Sequence, residues 1–107
     1  MEFKIQVCNY RSSELDVHVS AEYRDGLLLF SAQDLGPTAE NLWGDSDCEY
    51  WYSFDQENTA RLMAALEVTE EGFEQAIKEH FSDINGMKIL REFCEAHKIA
   101  WSFNSYT

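Results

Sequence analysis

Four groups of side chains in this chain have types and spacings that could do chemistry. Cys94 and His97 lie three residues apart, which on a helix sets a thiol beside an imidazole. A nucleophilic cysteine needs neighbouring positive charge to lower its thiol pKa, and Glu92 and Glu95 supply the opposite sign. Two ligands at that spacing are also only half of a zinc site. Asp45-Ser46-Asp47-Cys48-Glu49 begins like a calcium loop. That loop needs Gly at position 6 and a bidentate Glu at position 12, and counting from Asp45 those places hold Tyr50 and Gln56. Glu40, Asp45, Asp47 and Glu49 offer paired carboxylates for acid–base work, but no nucleophile or phosphate-binding glycine loop accompanies them. His18 and His80 stand alone in ordinary sequence and are read as surface or core filler. The expectation is therefore no catalytic residue, no metal, no cofactor and no enzyme.

The carboxylates do mark something else. From Asp25 to Ala60 the chain carries eight of them (Asp25, Asp34, Glu40, Asp45, Asp47, Glu49, Asp55 and Glu57) and no Lys or Arg, interleaved with Phe30, Trp43, Tyr50, Trp51, Tyr52 and Phe54. Negative charge repels nucleic acid and anionic membrane and attracts basic protein surfaces. Aromatic groups are the usual anchors of protein contacts. The combination points to recognition of a basic protein through Asp34, Glu40, Trp43, Asp45, Asp47, Glu49 and Trp51. The net charge of −12, from 20 acids and 8 bases, points the same way.

The elements that must carry these residues follow from periodicity. Length and an aromatic share of 14% give a single domain, residues 1–107, with a core built on large rings. Phe3, Ile5 and Val7 alternate with polar residues as a strand, and polar Asn9–Ser13 reads as a turn. Leu15 to Tyr23 alternates strictly. Asp25-Gly26 supplies a hairpin turn, and Leu27 onward returns, giving a hairpin of about 14–23 with 27–32. Gly36-Pro37 opens a short helix to about Leu42, which Gly44 ends. Cys48–Phe54 is a strand with Tyr50, Tyr52 and Phe54 on one face and Glu49, Trp51 and Ser53 on the other. A sheet covered on both faces would bury Trp51, as large aromatics favour; a sheet covered on one face leaves Trp51 beside Glu49 on the open side. Asp55 caps a helix with apolar face Ala60, Leu62, Met63 and Leu66. Thr69 caps another with Phe73, Ile77 and Phe81 on one side. A third, from about Asn85 to His97, buries Met87, Leu90, Phe93 and Cys94. Ile99–Phe103 closes the chain as a strand. The fold class is α+β, a four- or five-stranded mainly antiparallel sheet with three or four helices on one face.

Three cysteines at wide spacing are not a disulfide framework, so Cys8, Cys48 and Cys94 are expected as buried thiols in a reducing compartment. The N-terminus lacks a signal-peptide pattern, and no apolar run spans a bilayer. A cytoplasmic monomer is expected.

Asp34-Leu35-Gly36-Pro37 followed by Trp43-Gly44-Asp45-Ser46-Asp47-Cys48-Glu49-Tyr50-Trp51 resembles a pattern in small acidic bacterial proteins, where an LGP element leads to a WGDSD-type turn and an aromatic strand. Size and charge are similar to those of immunity proteins of contact-dependent growth inhibition and related polymorphic toxin systems. The match covers residues 34–51. It implies a protein that binds a delivered toxin domain, often a basic nuclease, and blocks it with carboxylates set where phosphates would lie. It carries over no catalytic residues.

Overall fold

In the computed structural model the described residues are 2–11, 16–35, 47–83 and 85–106. They form an open antiparallel sheet in the order β1-β2-β3-β4-β5, each strand pairing with its sequence neighbour. The strands are β1 (Phe3–Arg11), β2 (Asp16–Arg24), β3 (Leu27–Leu35), β4 (Asp47–Phe54) and β5 (Ser102–Tyr106). Helices α1 (Gln56–Ala65), α2 (Glu70–Phe81) and α3 (Gly86–Ala96) lie between β4 and β5 in sequence and pack on one face. This is the α+β architecture expected from the sequence. The expected helix after Pro37 and the Asp45-Ser46 part of the acidic turn lie outside the described residues.

The β2–β3 hairpin turns through Asp25 at φ 54° and Gly26 at φ 78°. Two consecutive left-handed residues match the right-handed twist of the flanking strands. Pairing then runs from Arg24↔Leu27 to Asp16↔Leu35 without a slip, three residues beyond the expected end of β3. Asn9, Tyr10 and Arg11, expected as turn, instead extend β1 opposite His18, Val17 and Asp16. The mate strand supplies the hydrogen bonds that local polarity did not predict, and an edge strand can leave polar side chains in water.

The core is a layer of rings between sheet and helices. Tyr23, Leu28, Phe30, Tyr52 and Phe54 from the strands meet Leu62, Phe73, Ile77, Phe81 and Leu90 from the helices, all buried. Phe73 stands edge-on to Tyr23 at 5.4 Å and to Phe3 at 5.9 Å; Phe81 stands edge-on to Phe30 at 6.3 Å. Edge-to-face packing of this kind adds to the burial term. The Tyr23 hydroxyl donates to Glu70 Oε1 at 2.9 Å, tying β2 to the first turn of α2; burial and this bond push its pKa up.

Asp55 caps α1 as expected. Its carboxylate accepts from Asn58 N at 2.8 Å, which holds its pKa below the usual range, with the Asn58 side-chain amide adding to the effect. The buried side of α1 differs from the apolar stripe read in the sequence. Ala60 is exposed and Met63 half-buried, while Asn58 and Thr59 go inside with Leu62 and Leu66. Asn58 is accommodated because it donates to Asp55 and accepts from Ala100 N at 2.9 Å. A buried polar group with partners is tolerated. Thr69 precedes α2 without a side-chain capping bond. Gly86 is required at the start of α3, where a Cβ would sit 2.0 Å from the Phe81 carbonyl oxygen.

Helices α1 and α3 end alike. After α1, Glu67 N donates to Ala64 O and Val68 N to Met63 O; after α3, Lys98 N donates to Glu95 O and Ile99 N to Cys94 O. Both are Schellman ends, which place a left-handed residue where glycine is usual. Here that residue is Glu67 at φ 60° and Lys98 at φ 57°. Left-handed backbone costs a residue with a Cβ about 1 kcal/mol. Glu67→Gly is therefore expected to raise stability by about 0.5–1 kcal/mol in urea titration, helped by removing a negative charge from a helix C-terminus. Lys98→Gly should gain less, because it discards a favourable cation there. Equal or negative changes for both would contradict this. The same turn moves the last strand. With Ile99 buried and Ala100 N bonded to Asn58, pairing begins at Ser102↔Ser53 rather than at Ile99.

Candidate interaction surface

Period-2 alternation sends the core residues of each strand toward the helices and the others to the opposite face. That face is uncovered among the described residues, and the register organises it into rows. One row crosses the sheet as Gln6, Ser20, Ser31, Trp51 and Asn104; the next as Asn9, His18, Gln33 and Glu49. Ser20 and Ser31 are small and central. Between taller neighbours they leave a shallow depression of about 470 Å³, with Trp51 and Glu49 at its β4 side and Gln6 and Lys4 at its β1 side. Trp51 and Glu49 are both half-buried, and Gln33 Nε2 donates to Glu49 Oε1 at 3.4 Å. Of the two outcomes open for Trp51, the described residues give the open one: α1, α2 and α3 lie on the other side of the sheet. Tyr50, Tyr52 and Phe54 are core.

Of the residues expected to bind a partner, Asp34 and Asp47 fall in the strands at the end where β3 finishes and β4 begins, at the pairs Asp34↔Cys48 and Leu35↔Asp47. Glu49 lies beside them and Trp51 one step inward. Glu40, Trp43 and Asp45 lie outside the described residues, in the segment that joins Leu35 to Asp47. The wider acidic stretch is not one patch. Antiparallel pairing folds it back on itself, so Asp25, Asp55 and Glu57 stand at the opposite end of β3, about 26 Å away for a nine-residue strand. Two of those three also have local duties, Asp55 as the α1 cap and Glu57 as the partner of Arg61 at 2.9 Å.

No protein-family model matches this chain, nor does any curated protein or solved structure. The surface must be read from its own chemistry.

That chemistry is not nucleophilic at Cys94. The thiol is fully buried, and burial, with Glu95 adding to it, pushes its pKa up to about 12. Cys8 is buried as well, and burial raises its thiol, with Asp83 contributing. Both thiols are free, and the side chain of Cys48 lies outside the described residues. His97 is exposed and stacks on Phe93 at 4.4 Å. Among the described residues no three His, Cys, Asp or Glu side chains gather as a metal site requires, and no helix is long and apolar enough to cross a membrane. The thiolate is the reactive species, so Cys94 should resist iodoacetamide in the folded protein near pH 8 and react once denaturant is added, as peptide mass spectrometry would show. Alkylation of folded protein at Cys94 would contradict its placement. In the unfolded chain the thiol ionises near its ordinary value of 9.0 while the fold holds its proton to about 12. The unfolded state then binds fewer protons, so this group's contribution is complete below pH 9 and declines as pH rises beyond it.

The rows missed by sequence reasoning are His18, Ser20, Ser31 and Gln33. Each looked like ordinary solvent-facing strand sequence. Their common signal is the alternation itself: once β2, β3 and β4 are aligned, every second residue lands on the same open face as Trp51.

Proposed function

We propose that this chain is an inhibitor of immunity-protein type, which binds and neutralises a basic toxin domain, a nuclease by its charge, at the end of the sheet where β3 passes to β4. It acts by occupation and carries out no reaction. One observation carries the reading: Trp51 stands half-exposed beside Glu49 on a sheet face uncovered among the described residues, and the sequence from 34 to 51 holds five carboxylates and no base. An aromatic anchor flanked by carboxylates suits a cationic protein surface: the ring supplies desolvated contact area, and the charges supply orientation and encounter rate. The net charge of −12 extends the attraction beyond the contact itself.

A second reading, a small acidic structural or adaptor domain, draws support from the division of the acidic stretch between two ends of the sheet. Under it the carboxylates are a solvated face and no inhibition occurs. Co-expression separates the two. On the inhibitory reading the cognate basic toxin domain, expressed alone, arrests growth; this chain should restore growth and copurify with it. Rescue should fail when Asp45, Asp47 and Glu49 are all changed to Lys while circular dichroism stays native. Full rescue by that variant would refute the inhibitory surface.

A further inference from the structure

An open sheet has two edges, and here they are built differently. Strand β1 carries the devices that discourage pairing: a register break between Gln6 and Cys8, and the charged Lys4 and Arg11. Bulges and edge lysines blunt a strand against further partners. Strand β5 has neither. Its five residues, Ser-Phe-Asn-Ser-Tyr, hold no charge, glycine or proline in a chain of net charge −12, and Ser102 to Ser105 are all exposed. Among the described residues β5 pairs with β4 alone.

The layer above β5 is also unfinished. The helices lean mainly on β1 to β4. Phe103, opposite Tyr52 on the helical side, rests on Tyr52 at 5.4 Å and Tyr50 at 6.1 Å, yet is 47% exposed. A strand laid along β5 would satisfy its outer backbone groups and cover this ring.

We propose that the β5 edge pairs antiparallel with the β5 edge of a second copy, joining two sheets into one of ten strands. Two observations select a second copy over a strand of a basic protein. First, β5 carries no charged residue to offer a basic strand, and Glu49, which pairs with Tyr106, lies one strand further in. Second, the edge is complementary to itself. A two-fold axis at Asn104 sets Phe103 of each copy opposite Ser105 of the other, both on the helical side, so each large ring meets a small residue. On the open face Asn104 meets Asn104, and two amides can bond reciprocally.

A five-residue edge is smaller than a standard interface, so the dimer belongs to the weak, reversible class. Its response to salt is the reverse of inhibitor binding. Two chains of −12 repel until counterions screen them, so salt should promote this contact and weaken that with a basic partner. The inference does not rest on the inhibitory reading.

Sedimentation velocity tests it, with protein from about 10 μM to about 1 mM at about 50 and about 500 mM NaCl. The wild-type chain should pass from monomer toward dimer with concentration, and further at high salt. Asn104→Lys and Ser105→Lys, both at exposed positions, should weaken the dimer at least about tenfold while keeping native circular dichroism. Glu95→Gln, which makes the same one-unit charge change as each of these away from the edge, should not weaken it. A wild type that stays monomeric throughout overturns the proposal. So does a dimer that survives both lysine variants, since it would be held elsewhere.

Discussion

Phe73→Ala is expected to lower stability by about 3–5 kcal/mol, the loss typical of a large ring removed from a packed interior. Phe73 is fully buried and meets both Tyr23 from β2 and Phe3 from β1. Its neighbours on α2, Ala76 and Ile77, are buried with it and cannot swing in to fill the space without moving the helix. The β2–α2 tie through Tyr23 and Glu70 holds that helix in place, so the cavity persists. For a domain of this size the loss corresponds to a melting temperature lower by about 13–22 °C. Because natural domains hold only about 5–15 kcal/mol in total, the variant should lose a large share of its stability. Thermal and urea unfolding followed by circular dichroism give the number, and a loss under about 1 kcal/mol would contradict the placement of Phe73 at the centre of the core.

Trp51→Ala should separate stability from binding in the opposite sense. The indole stands on the open face, so its removal should change stability by only about 1 kcal/mol. If it anchors the partner, affinity should fall by about 2–4 kcal/mol, or roughly 30- to 900-fold, as central aromatic anchors do. Tyr52→Ala, one residue along and facing the core, should do the reverse where it folds at all. The comparison rests on the pleat alone: neighbouring aromatics on one strand serve different purposes because their Cβ atoms point to opposite sides.

The sequence made the scaffold legible where periodicity was strong. The alternation from Leu15 to Tyr23, the Asp25-Gly26 turn and the spacing of Phe73, Ile77 and Phe81 each led to the element found. It misled where a distant partner supplied what the local sequence lacked. Asn9–Arg11 became strand because β2 runs beside it. Asn58 and Thr59 went inside because Asp55, Ala100 and the Phe54 carbonyl satisfy them. The last strand shifted because a left-handed Lys98 and a bond to Asn58 occupied the residues before it. For the candidate surface, sequence could place Glu49 and Trp51 on one face of one strand. It could not supply His18, Ser20, Ser31 and Gln33, which join them only through register. Nor could it show that hairpin pairing splits the acidic stretch, setting Asp34, Asp47 and Glu49 at one end of the sheet, with Asp34 in register with the core-side positions, and Asp25, Asp55 and Glu57 at the far end.

The central claim is that the carboxylates around the β3–β4 junction draw in a cationic protein. Stopped-flow association with the cognate basic toxin domain, over a series of NaCl concentrations, tests it most directly. The account predicts rates near 10⁸–10⁹ M⁻¹s⁻¹ at low salt that fall steeply as salt rises, on the order of the steered limit, with a slower rate and a shallower slope for Asp45→Lys/Asp47→Lys/Glu49→Lys. A wild-type rate indifferent to salt, or a triple variant that associates as the wild type does, would contradict it.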